Sequence, residues 1–170
     1  MKQPEGRVSV SLKALYECEW KTYEAALVAV KRLEDEQARQ ALRAVAAHAN
    51  EALDELLTLA SQRTIRLAAP VDVACELALR ILQALADRAA ERRIDRDVGI
   101  DGLEEQFARG MSQARLLRSV ATEEGEGELA GYVDRWHRAR SSLAASATAE
   151  IRRIRSKRST TTVDRVRTTT

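Results

Sequence analysis

The stretch LKALYECEWKTYEAALVAV, residues 12–30, decides the fold of this chain. Its apolar side chains recur at alternating spacings of three and four residues, which is the period of an α-helix that buries one face. The stripe consists of Leu12, Tyr16, Tyr23, Ala26, Val30 and Leu33. The pattern predicts a helix that begins at a serine cap, Ser9 or Ser11, and ends near Glu34.

The helical period continues through most of the remaining chain. A second helix is predicted from about Glu36 to Gln62, although one long bent helix is the alternative because no Gly or Pro marks the boundary near Asp35. Further helices are predicted over about 70–93, 103–121 and 129–155. The sequence therefore predicts an all-α fold, an antiparallel four-helix bundle with four to five long helices.

Composition and charge divide the chain into two parts. Apolar residues make up 45% of the 170 residues and prolines number only two, which fits one helical domain over residues 1–155. From Glu150 to Thr170 there are seven Lys/Arg and two Asp/Glu, whereas the preceding residues are slightly acidic. Residues 156–170 are therefore predicted to form a Thr-rich basic tail, which either binds nucleic acid or only keeps the protein in solution.

The sequence contains no feature typical of membrane insertion or secretion. No apolar run approaches the roughly 20 residues that a membrane span needs, and the first residues are polar. The two cysteines, Cys18 and Cys75, are too far apart in the sequence to form a CxxC pair. We expect a cytoplasmic protein with no membrane partner.

The first two predicted helices resemble a known family. The segments LKALYECEWKTYEAALVAV (12–30) and DEQARQALRAVAAHANEALDEL (35–56) look like the opening hairpin of the ferritin-like superfamily, and the resemblance covers roughly residues 12–60. In that family an inward Glu with a nearby Tyr lies on the first helix, and a Glu-x-x-His pair lies on the second. The resemblance implies a ferritin-like bundle.

Only part of the ferritin-like iron site has a counterpart in this sequence. Glu19 falls on the apolar stripe of the first helix, but the second helix carries the reversed order His48-Ala-Asn-Glu51. The resemblance therefore implies a degenerate or absent di-iron site, with Glu19, His48 and Glu51 as candidate ligands for iron or another divalent metal. The alternatives are a buried Glu19 that pairs with a tyrosine or a basic residue, and a solvated helix flank at His48 and Glu51.

No standard catalytic motif is present, and no resident cofactor is predicted. We therefore expect a non-enzymatic bundle that acts through oligomerisation or partner binding, most simply as a homo-oligomer. Trp20, opposite the core stripe, and Leu79 and Leu82, on a predicted helix that is apolar on most of its circumference, are candidate interface residues. The alternatives are a metal-binding or iron-oxidising protein with an atypical site and a protein that binds nucleic acid through the tail.

Overall fold

The computed structural model describes residues 6–67 and 98–167, with side chains over 6–67 and 102–157. This part of the chain contains four α-helices and no strand. They are α1 (Arg7–Arg32), α2 (Glu36–Gln62), α3 (Val98–Glu123) and α4 (Gly127–Arg167). The all-helical prediction is confirmed. The predicted helix over 70–93, with Leu79 and Leu82, lies outside the described residues.

A new helix begins at the boundary between α1 and α2. Asp35 is the N-cap of α2, and its carboxylate accepts a hydrogen bond from the backbone N–H of Ala38 at 3.1 Å. An N-cap side chain of this kind satisfies one of the free N–H groups of the first turn. The two predicted helices are therefore separate, and the alternative of one bent helix is wrong.

Three predicted helix ends differ from the structure. The helix α1 begins after Gly6 without a side-chain cap, so neither Ser9 nor Ser11 starts it. The helix α3 begins at Val98, five residues before the predicted start at 103. The helix α4 continues to Arg167, past the predicted end near Arg155. Helical backbone therefore includes most of the predicted tail, whose nucleic-acid binding stays a prediction.

The four helices pack in a closed ring. Both α1 and α4 pack against α2 and α3, so α1 and α4 face each other across the middle. Ion pairs join the ends of neighbouring elements: Arg7 near the start of α1 contacts Glu123 at the end of α3 at 2.9 Å. Arg153 of α4 contacts the Asp35 cap at 2.6 Å. The ring fixes which side chains point into a common interior.

The interior consists of two apolar clusters that lie at opposite ends of the bundle. One contains Leu12, Leu56, Leu117 and Leu129, and the other contains Leu42, Leu103, Phe107 and Ile151. The inward faces of α2 and α3 repeat at helical spacing, and their members are buried: Leu42, Val45, Ala49, Leu53, Leu56, Ala60, Leu103, Phe107, Gly110, Ala114 and Leu117. Between the two clusters lies a layer of polar side chains.

No helix in the described residues is both long enough and apolar enough to cross a membrane.

Candidate functional site

The centre of the polar layer is an ion pair between α1 and α4. Glu19 and Arg140 are each only 1% exposed, and Nη2 of Arg140 donates a hydrogen bond to Oε2 of Glu19. Both residues occupy positions where their helix would otherwise carry an apolar side chain. Thr22, also buried, satisfies its own hydroxyl by donating to the backbone carbonyl of Cys18 at 2.8 Å.

Three more residues surround this ion pair, one on α4 and one on each of α2 and α3. Trp136, on the same helix as Arg140, lies against the guanidinium with its ring centroid 5.4 Å from Cζ of Arg140, a cation–π arrangement. The His48 ring of α2 lies 6.3 Å from the Trp136 ring, centroid to centroid. From α3, Gly110 faces the layer without a side chain. We call Glu19, His48, Gly110, Trp136 and Arg140 the polar layer.

Burial changes the protonation chemistry of the polar layer. It raises the pKa of Glu19 to about 7 because the charged carboxylate loses its hydration, although the Arg140 cation opposes the shift. The indole N–H of Trp136 also favours the charged carboxylate, although it does not reach good hydrogen-bond geometry. Burial and the nearby Arg140 cation together lower the pKa of His48 to about 4, so its imidazole is neutral at pH 7.

Several polar atoms of the layer have no hydrogen-bond partner. Nε and Nη1 of Arg140 and Nδ1 of His48 are buried, and none of them contacts a donor or acceptor in the part of the chain that the structure describes. A buried polar group left unpaired costs about 1–3 kcal/mol, and more when it is charged. The ion pair with Glu19 therefore satisfies only part of the Arg140 side chain.

The predicted metal ligands do not meet. Glu19 is paired with Arg140, His48 is half-buried beside Trp136, and Glu51 is exposed on α2. Across residues 6–67 and 98–167, no group of three or more His, Cys, Asp or Glu side chains is placed to hold a metal ion. The alternative in which Glu19 is a buried carboxylate paired with a basic residue describes the observed contact.

Trp20, a predicted interface residue, packs partly against the protein itself. Its side chain is half-buried on the apolar cluster that contains Leu12, and its ring centroid lies 5.9 Å from that of Tyr23. The larger exposed apolar side chains among the described residues are Val10 and Leu116, which are 52% and 51% exposed. Much of the Trp20 ring therefore packs against other side chains of the same bundle.

Sequence reasoning missed Arg140, although a signal for it existed. The apolar stripe of α4 runs through Val133, Trp136, Leu143 and Ala147, and Arg140 falls on it four residues after Trp136. Glu19 interrupts the stripe of α1 in the same way. Two opposite charges that each interrupt an apolar stripe predict a buried pair, because an unpaired charge in either position would be too costly.

No protein-family model matches the chain, and neither a curated protein nor a solved structure is significantly similar to it.

Proposed function

We propose that this chain is a non-enzymatic, ferritin-like antiparallel four-helix bundle that acts by oligomerisation or partner binding. The observation that carries the proposal is the buried contact of Glu19 with Arg140. In a ferritin-like metal site, inward carboxylates surround positively charged ions at the middle of the bundle. Here a guanidinium supplies the positive charge beside the inward carboxylate of α1, which leaves that carboxylate committed to a structural contact.

The connections between the helices support the ferritin-like topology. Three residues, 33–35, separate α1 from α2, and three residues, 124–126, separate α3 from α4. The connection between α2 and α3, residues 63–97, is much longer. Two short hairpin connections with one long crossover are typical of ferritin-like bundles. The placement of the start of α1 beside the end of α3 is consistent with this topology.

The long connection also supports action through a partner surface. The four described helices pack in a closed ring, and the sequence over residues 71–93 has the apolar pattern of a further helix. A helix that is apolar on most sides needs to be covered by protein. We propose that Leu79, Leu82 and Trp20 take part in the contact between copies.

Light scattering coupled to size-exclusion chromatography tests this proposal. The full chain at micromolar concentration should elute as an oligomer, and Leu79→Glu with Leu82→Glu should shift it toward the monomer. Leu116→Glu is the matched control, since Leu116 is an exposed leucine on α3 and its replacement should leave the mass unchanged. A monomeric full chain would contradict the oligomer, as would a double variant with unchanged mass.

Elemental analysis tests the competing metal hypothesis on the same sample. Protein purified without chelators should contain no stoichiometric iron or other divalent metal and should not accelerate ferrous oxidation. Stoichiometric metal that is lost in Glu19→Gln would overturn the non-enzymatic assignment and favour the atypical metal site.

A further inference from the structure

The Arg140 side chain offers more donors than the protein uses. An arginine carries five N–H groups and no acceptor, and the contact with Glu19 is made through Nη2. The three N–H groups on Nε and Nη1 are buried and have no acceptor within residues 6–67 and 98–167. Arg140 is 1% exposed, so bulk solvent does not satisfy them either.

A second unpaired group lies in the same layer. Nδ1 of His48 is buried without a partner, and the His48 ring and the Arg140 guanidinium both lie against the Trp136 ring. These groups come from α2 and α4, two helices that pack directly on each other. The two unpaired groups therefore lie around the same indole ring.

The α3 side of the polar layer carries no side chain, because Gly110 faces it. A Cβ atom added to Gly110 would lie 3.8 Å from Oε1 of Glu19 and 3.9 Å from Cη2 of Trp136. These are ordinary van der Waals separations, so α3 does not crowd the layer at this point. Buried polar groups that lack protein partners are normally bridged by ordered water.

We propose that the polar layer is a binding site for one small hydrogen-bond acceptor, water or a halide-sized anion, held by Nε and Nη1 of Arg140. The two occupants share the chemistry of accepting N–H bonds from a guanidinium. They differ in what they require of His48. Water donates to an unprotonated Nδ1, whereas an anion only accepts and therefore needs a proton on Nδ1.

Crystallography of the full chain identifies the occupant. Crystals grown in sodium bromide should show density beside Nε or Nη1 of Arg140. Crystals grown in sodium gluconate should show it as well if the occupant is water, at an N···O distance of about 2.7–3.3 Å. An anomalous bromide peak at that position identifies an anion, and the same non-anomalous density in both salts identifies water. The ¹⁵N chemical shifts of the His48 ring should then report a proton on Nδ1 for the anion and on Nε2 for water.

A pair of variants tests whether Arg140 holds the occupant. The density should disappear in the double variant Glu19→Leu with Arg140→Met, because both charged partners are removed together. It should persist in Arg63→Met, which removes an arginine that pairs with Glu126 at 2.8 Å, away from the polar layer. The proposal is overturned if the wild-type crystals show no density beside Nε and Nη1, or a protein oxygen in that place. Density that survives in the double variant would overturn it equally.

Discussion

Two ion pairs of this protein have the same chemistry and opposite surroundings. Glu19 with Arg140 and Glu123 with Arg7 are both contacts between a carboxylate and a guanidinium on different helices. The side chains of the first pair are 1% and 2% exposed, whereas those of the second are 52% and 64% exposed. Surroundings therefore decide what each contact contributes, because water screens the exposed charges and is excluded from the buried ones.

The buried pair restricts the bundle more than it stabilises it. Removing two charges from water costs several kcal/mol per ion, and their mutual attraction offsets this only in part. The contact does, however, demand one alignment of α1 against α4, since any shift along either helix would leave both charges buried and unpaired. We infer that Glu19 and Arg140 select the register of the bundle, as buried polar residues do in coiled coils.

Breaking the buried pair should give the largest effect. Glu19→Leu alone should lower the free energy of unfolding by about 3–5 kcal/mol, because it leaves the Arg140 charge uncompensated in the interior. Arg140→Met alone should cost less, because burial already raises the pKa of Glu19 to about 7 and the carboxyl takes up a proton when the cation is gone. The double variant Glu19→Leu with Arg140→Met should lie close to the wild type or above it. Urea denaturation of the four proteins measures these differences. Single variants that each cost less than about 1 kcal/mol would show that the two charges are not sequestered from water.

The pH dependence of stability should separate the two titrating groups of the polar layer. The pKa of Glu19 is raised from 4.5 to about 7, so the folded state binds more protons between these values and stability falls as pH rises. The pKa of His48 is lowered from 6.5 to about 4, so the unfolded state binds more protons there and stability rises with pH. The two slopes have opposite signs. The nearby Arg140 guanidinium and Tyr132 phenol do not titrate in this pH range.

Single variants should therefore reveal slopes of opposite sign. Relative to the wild type, Glu19→Gln should become more stable as pH rises from about 4.5 to 6.5, and His48→Gln should become less stable. Each slope is at most about 1.4 kcal/mol per pH unit, and that of His48 is smaller because its side chain is only half-buried. Urea titrations across this range provide the measurement. Three parallel curves would mean that neither group is perturbed by the interior.

The sequence predicted the pattern of burial better than the pairing within it. The apolar stripes of α2 and α3 could be predicted because helical period alone determines which side chains share a face. The exceptional position of Glu19 was visible for the same reason. Arg140 interrupts the apolar stripe of α4 in the same way, but the helical period alone does not state which helices face each other across the ring, and the two residues are 121 positions apart. The start of α1 after Gly6 was also missed, since no side chain caps this helix.

The Asp35 pair lies between the two extremes and should give an intermediate effect. Asp35 caps α2 and contacts Arg153 of α4, and both side chains are 29% exposed. Asp35→Ala removes the cap and the interhelical contact together, which should lower the melting temperature by roughly 2–4 °C. Glu34→Ala is the matched control, because it removes the same charge one residue earlier from an exposed position. Equal effects of the two variants would show that net charge, and not the cap, is responsible.

The exposed pair should give the smallest effect and the clearest contrast. Arg7→Ala, Glu123→Ala and their double variant should all unfold at nearly the wild-type urea concentration, since water solvates either charge when its partner is gone. Arg7 lowers the pKa of Glu123, but the attraction between these two exposed charges is weakened by dissolved salt. A double-mutant cycle on Arg7 and Glu123 should therefore give a coupling energy close to zero in about 0.5 M salt, because the Debye length there is well below ~10 Å. The same cycle on Glu19 and Arg140 should be large and insensitive to salt. A salt-sensitive coupling in the buried pair would mean that ions reach the polar layer, and the contrast between the two pairs would then be one of degree.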